Sequence, residues 1–245
     1  MLVVTTPVPA PLARRLLAEL VGTALLVAVV VGSGIAAETL SPGDVGLQLL
    51  ENSTATVFGL TVLILWFGPV SGAHFNPVVS LADWFLGRRA GAGLSLPEVG
   101  AYAVAQVAGG IAGAVLANVM FEVDQGLSAK DRLGSGHLVA EVVATAGLVA
   151  LIFALVRSGR GALAAPTVGA WIGAAYWFTS STSFANPAVT IGRVFTDTFA
   201  GIAPESAPGF IGMQVIGLAI GVALTLALYP RAGEDADDVV VPHGR

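Results

Sequence analysis

The sequence predicts an all-α membrane protein with six transmembrane helices and two re-entrant half-helices, built as an inverted repeat. Three observations predict it. The 245-residue chain is 55% hydrophobic and 11% charged, with a mean hydropathy of +0.83, far from the composition of soluble domains. Six apolar stretches can each cross about 30 Å of hydrocarbon as a helix. Two segments, SGAHFNPVVSLADWFLGR at 71–88 and STSFANPAVTIGRVFTD at 181–197, nearly repeat each other with their asparagines 110 residues apart.

The apolar run of the first span, 12–36, follows Arg14 and Arg15, but it is too long for a signal peptide and no convincing cleavage site follows it. The remaining spans are 47–67, 98–120, 136–156, 162–179 and 210–228. Six spans leave one channel-sized domain, 12–230, between an N-terminal tail of 1–11 and an acidic C-terminal tail of 231–245, both expected in the cytoplasm. The orientation follows from charge. Arg14, Arg15, Arg88, Arg89, Arg157, Arg160, Arg231 and Arg245 fall at the termini and after spans two and four, whereas Lys130, Arg132 and Arg193 fall on the other side. The positive-inside rule then places both termini in the cytoplasm, and the chain is expected in the cell's inner (plasma) membrane. The net charge of −5 comes largely from Glu234, Asp235, Asp237 and Asp238 in the solvated tail. With no cysteine, thiol chemistry is excluded.

The repeat extends past the Asn-Pro pair. AELVGT at 18–23 opens the first span and AEVVAT at 140–145 lies in the fourth, so repeat one is about 12–125 and repeat two about 135–230. Three spans per repeat is an odd number, and the second copy therefore enters the bilayer from the opposite face. The segments NPVVSLADWFL and NPAVTIGRVF are about ten residues long, half of a spanning helix. Asn is a favoured N-cap and Pro a favoured first helical residue, so Asn76-Pro77 and Asn186-Pro187 each read as a helix start. Half-helices dipping in from opposite faces bring their N-termini together at the midplane. The non-helical stretches before them, 72–75 and 182–185, then carry bare backbone at a depth where it is tolerated only against a wet cavity. The repeat implies a pore.

These residues resemble the aquaporin and glycerol-facilitator family, the major intrinsic proteins. SGAHFNPVVSL and FANPAVTIGR are similar to its paired Asn-Pro-Ala boxes, AELVGT and AEVVAT to its helix openings, and AQVAGG at 105–110 to its third helix, over most of 12–230. The resemblance implies a passive channel, not an enzyme, that works as a homotetramer in the lipid bilayer without a cofactor. It implies that Asn76 and Asn186 offer amide hydrogens to the solute, replacing hydration that would otherwise cost a few kcal/mol per lost bond. The half-helix N-termini add partial positive charge that repels protons and cations. Glu19 and Glu141 are implied to anchor the re-entrant loops, with a proton relay as the alternative. Val78 stands where the first box usually has alanine, while Ala188 keeps the second.

The departure that bears on substrate is Val189, where most of the family has a filter arginine. Counting from the boxes puts the other filter positions at Phe58, at Ala174 (or its neighbours Gly173 and Ala175) and at Ser183. Phe, Ala, Ser and Val make a wide, apolar ring expected to admit glycerol-type solutes as well as water. The lost charge weakens cation exclusion and leaves the midplane dipoles as the main barrier. NPAVTIGR followed by DTFAGIAP at 197–204 resembles a bacterial subgroup associated with arsenic resistance, which implies passage of neutral As(OH)3 and of methylated arsenicals. Arg193, four residues beyond Val189, is a candidate mouth charge that partly replaces the missing arginine; the alternative is a structural partner, Asp197 or a nearby loop.

Other chemistry finds no support. His74, His137 and His243 are too scattered for a metal site. No phosphate loop or nucleophile elbow occurs; Trp66, Trp84, Trp171 and Trp177 read as packing or interfacial anchors. No nucleic-acid partner is implied. The competing readings are a water-selective channel, a secondary transporter built on the same kind of repeat, and a junctional protein with a closed pore.

Overall fold

The structure, a computed structural model, describes residues 10–88 and 91–230. Arg89, Arg231, Arg245, the acidic tail residues and His243 lie outside the described residues, as do residues 1–9 of the N-terminal tail. Helix-forming apolar sequence, punctuated by caps and prolines, gives eight α-helices among the described residues: α1 (Leu12–Leu40), α2 (Val45–Ser71), α3 (Pro77–Gly87), α4 (Leu96–Met120), α5 (Ser135–Arg157), α6 (Ala164–Phe178), α7 (Pro187–Gly192) and α8 (Ala207–Leu228). Helices α1, α2, α4, α5 and α8 are each long and apolar enough to cross a membrane. The span expected at 162–179 is a 3-10 turn, Gly161–Leu163, running into the 15-residue α6. Pro166 sits in the first turn of α6, where a missing N–H costs nothing.

Several boundaries follow from local chemistry. The Asp44 side chain accepts from the Leu47 N–H at 2.9 Å and starts α2. Gly72, at φ 96°, ends it in the left-handed conformation that glycine takes without strain. Ser95 and Glu98 form a capping box at the start of α4. The half-helices begin on Asn76-Pro77 and Asn186-Pro187 as the sequence indicates. The second is shorter than its ten-residue reading, because Arg193–Phe195 tighten into a 3-10 turn.

The two repeats pack by the same device. A Cβ on Gly109 or Gly113 of α4 would overlap the α1 carbonyls of Leu20 and Ala24, and one on Gly217 or Gly221 of α8 would meet the α5 carbonyls of Val142 and Ala146. Backbone-to-backbone approach of this kind is how helices associate where no hydrophobic effect drives them. The inner core gathers Val27, Val31, Phe75, Val78, Val149 and Ala185 around the half-helices. The outer faces carry large apolar side chains such as Phe58, Val104 and Val139, suited to hydrocarbon.

Candidate conduction pathway

The site is built from two carboxylates outward. Glu19 Oε1 accepts from Ser71 Oγ at 2.6 Å and from the His74 N–H at 3.0 Å, and its Oε2 accepts from the Phe75 N–H at 2.7 Å and Gln106 Nε2 at 2.8 Å. Glu141 repeats the pattern. Its Oε1 accepts from Ser181 Oγ at 2.6 Å and the Phe184 N–H at 3.0 Å, and its Oε2 from the Ala185 N–H at 2.9 Å and Gln214 Nε2 at 2.7 Å. Both glutamates are fully buried. A carboxylate is tolerated there because each lone-pair direction meets a donor. The loops pay for this hold with backbone strain: Ala73, Phe75, Ser183 and Ala185 all have φ near +50°, a conformation that costs a residue with a Cβ about 1–2 kcal/mol.

Those loops deliver the asparagines. Asn76 Oδ1 accepts from the Val78 N–H at 3.1 Å, and Asn186 Oδ1 accepts from the Ala188 and Val189 N–H groups at 2.9 and 3.2 Å. With each oxygen committed to its own helix start, each amide nitrogen must point away from it. Asn76 Nδ2 donates to the Ala185 carbonyl at 2.8 Å, and Asn186 Nδ2 to the Phe75 carbonyl at 2.7 Å. The half-helix tips therefore clasp each other reciprocally. An amide nitrogen has two hydrogens, so one on each asparagine remains available.

A cavity of about 60 Å³ runs past this clasp. A single water needs roughly 10–15 Å³ of such space, so the cavity is large enough to hold water. Leu26, Val30, Leu60 and Ile172 form an apolar wall, and Asn76, Asn186, His74, Thr56, Tyr176, Ser183, Val189 and Arg193 face it. Ser183 Oγ is buried with no hydrogen-bond partner among the described residues. Tyr176 Oη lies 3.2 Å from Thr56 Oγ1, which in turn donates to the Asn52 carbonyl at 2.8 Å. His74 Nδ1 is tied to Ser80 Oγ at 2.9 Å.

Two of the four filter positions counted from the sequence are corrected. Phe58 is 67% exposed on the outer face of α2, and the cavity face of that helix holds Thr56 and Leu60 instead. Ala174 is likewise exposed, and α6 presents Ile172 and Tyr176 to the cavity. Both errors are two residues, about 200° of helical rotation, which moves a side chain from one face to the other. Ser183 and Val189 both line the cavity, beside Thr56 and Tyr176.

The remaining candidates are placed as follows. Pro77 and Pro187 occupy the first helical positions, and Val78 and Ala188 are buried behind the clasp. Arg193 does not pair with Asp197: its Nε donates to the Ala200 carbonyl, while Asp197 Oδ1 accepts from the Ala129 N–H at 2.9 Å. Arg132 joins the same end, donating from Nε to the Gly201 carbonyl at 2.8 Å and from Nη2 to the Phe199 carbonyl at 3.2 Å. Burial pushes its guanidinium down to about 10, still charged at neutral pH. Trp171 and Trp177 donate to the Ala144 carbonyl and Ser53 Oγ, at 3.1 and 3.2 Å, and Trp66 is 63% exposed.

Sequence reasoning missed Thr56, Tyr176, Gln106 and Gln214. The repeat held the signal for the glutamines: AQVAGG places Gln106 in α4, and Gln214 stands at the equivalent place in α8.

The chain resembles known proteins in sequence and in fold. The family model described as "Major intrinsic protein" matches residues 8–184. Aquaglyceroporin AqpS of Rhizobium meliloti (strain 1021) is 49% identical over 214 residues, covering 87% of this chain and 89% of the relative. The glycerol uptake facilitator protein of Pseudomonas aeruginosa is 33% identical over 237 residues, covering 84% and 82%. In fold, the chain is similar to the aquaglyceroporin from Plasmodium falciparum, whose X-ray structure aligns with a TM-score of 0.61 at 19% identity, over 93% of this chain and 99% of that one.

Proposed function

This chain belongs to the major intrinsic protein family and is a multi-pass membrane channel for small neutral solutes, not an enzyme; from that premise we propose how it selects them. The pathway conducts glycerol-type polyols, As(OH)3 and methylated arsenicals in addition to water. The observation that carries the reading is the reciprocal asparagine clasp beside a cavity with one apolar wall. A solute crossing it presents hydroxyls to the free amide hydrogens of Asn76 and Asn186 and its carbon or arsenic side to Leu26, Val30, Leu60 and Ile172. Fixed donors substitute for lost hydration, and a site that hydrogen-bonds hydroxyls discriminates against solutes lacking them.

Above the clasp, the filter is Thr56, Tyr176, Ser183 and Val189. Val189 supplies no donor and little length where an arginine would narrow the path. The hydroxyls of Tyr176 and Ser183 can each meet a polyol or arsenite hydroxyl. As(OH)3 is neutral near pH 7 and similar in size to glycerol, and the likeness of NPAVTIGR and DTFAGIAP to an arsenic-associated subgroup supports it as a substrate. The channel domain is 12–230, assembled as a homotetramer in the inner membrane with both termini cytoplasmic; the Arg and Lys distribution supports that orientation.

Stopped-flow light scattering on proteoliposomes tests the reading with water, glycerol, urea, As(OH)3 and methylarsenicals in turn. Fast flux of glycerol and As(OH)3 with low activation energy and no ion dependence is expected. Flux of water alone would make the channel water-selective, and ion-coupled flux would make it a secondary transporter.

A further inference from the structure

Val189 leaves the usual filter position without a cation, yet a cation stands one turn further along. Arg193 is 2% exposed and lines the same cavity as Val189 and Ser183. Two contacts hold it. Its Nε donates to the Ala200 carbonyl, and its guanidinium carbon sits 3.4 Å from the centre of the Phe184 ring. Phe184 is itself fixed, its N–H bound to Glu141 and its ring packed on Phe210 at 5.0 Å. Arg132 also faces the Phe184 ring, at 5.2 Å.

Neither guanidinium has a carboxylate within ion-pair distance among the described residues. Among the described residues the one ion pair joins Arg15 and Glu98, at the start of α1 and α4. Carbonyl oxygens and an aromatic face stabilise a guanidinium without neutralising it. The Nη groups of Arg193 make no hydrogen bond among the described residues, so they have donors to spare for a solute.

We propose that Arg193 is the charge barrier of this pathway, the residue that excludes protons and cations in place of the arginine absent at 189. The proposal rests on the channel reading above. Its consequence is a division of labour: Val189 sets how bulky a solute passes, and Arg193 sets what charge it carries. Neutral polyols meet N–H donors there, whereas a cation meets a guanidinium without an ion-pair partner in a narrow, low-dielectric passage, where repulsion is stronger than in bulk water.

The test uses the full chain in liposomes, with proton entry read by a pH-sensitive dye under an imposed potassium diffusion potential and glycerol swelling read on the same vesicles. Arg193→Gln is expected to raise proton conductance at least tenfold, with glycerol swelling showing that the channels are folded and open. Arg193→Lys, which keeps the charge, is expected to hold the leak within about twofold of the unmodified protein. A Gln variant that conducts glycerol with no added leak overturns the proposal, since the asparagine clasp alone would then suffice. Should that variant conduct no glycerol, Val189→Glu decides, because it leaves Arg193 and its Ala200 bond in place while setting a carboxylate one turn away. Raised leak there supports the proposal and unchanged leak refutes it. An unmodified protein that conducts no glycerol would instead bring down the channel reading itself.

Discussion

Glu141→Gln isolates what the buried carboxylates contribute. The native side chain accepts four hydrogen bonds, two on each oxygen, from Ser181, Phe184, Ala185 and Gln214. Glutamine keeps one acceptor oxygen and turns an NH2 group toward the donors on the other side. The Ser181 hydroxyl and the Gln214 amide can turn to accept, but the Phe184 and Ala185 N–H groups cannot, so whichever way the new amide flips one backbone bond is lost and that N–H faces a donor. Hydrogen bonds to a charged group contribute about 1.5–3 kcal/mol each, so the change costs roughly 1.5–3 kcal/mol or more. For a chain of this size about 2–4 °C of melting temperature accompanies each kcal/mol, which sets the expected drop at about 3 °C or more. The strained φ values at Ser183 and Ala185 would relax once released, so Asn186 would lose its aim and glycerol flux should fall tenfold or more. Melting in detergent followed by intrinsic fluorescence, beside glycerol swelling in liposomes, measures both. A shift under about 2 °C with normal flux would refute the idea that Glu141 holds the loop in place.

Val189→Arg should cut glycerol and As(OH)3 flux about tenfold or more while leaving water flux measurable, as read by stopped-flow scattering; equal glycerol flux in both forms would remove Val189 from the filter. Thr56→Phe should lower glycerol flux relative to water, whereas Phe58→Ala, on the outer face, should leave the solute ranking as it is, and the reverse outcome would reinstate Phe58. Gly113→Val sets side-chain atoms against the Ala24 carbonyl and should cost about 1–3 kcal/mol, visible as lower yield and melting temperature. Gly100→Ala in the same helix has open space around the new methyl and should stabilise by up to about 1 kcal/mol; a loss equal to that at Gly113 would show that helix α4 does not pack as described.

Much of the architecture was legible because it is written twice. The two Asn-Pro helix starts and five of the six expected spans stand where the sequence puts them, since caps, prolines and long apolar runs act locally, while the sixth is a 3-10 turn joined to a 15-residue helix. What failed was rotation. Phe58 and Ala174 were located by residue count and by an attractive aromatic, while the buried polar stripe of α2, Gln48, Asn52 and Thr56 at four-residue spacing, went unused, and a two-residue slip reverses inside and outside. The polar lining of the cavity settles it in three dimensions, through Thr56 bonded to Tyr176 across α2 and α6. The contact of Arg193 was hidden for a different reason. Asp197 is a plausible partner at helical spacing, but the helix ends at Gly192 and tightens, carrying Asp197 off to the Ala129 N–H.

The crossed amides make each half of the molecule the template for the other. Asn76 finishes its bonding on a carbonyl 109 residues later in the chain, so during synthesis the first re-entrant segment waits, its amide hydrogen unclaimed, until the second emerges. Neither half alone can possess a finished aperture. Mutations that slow the late segment should therefore leave the early one open to proteases, and two separately expressed halves should become resistant only when mixed.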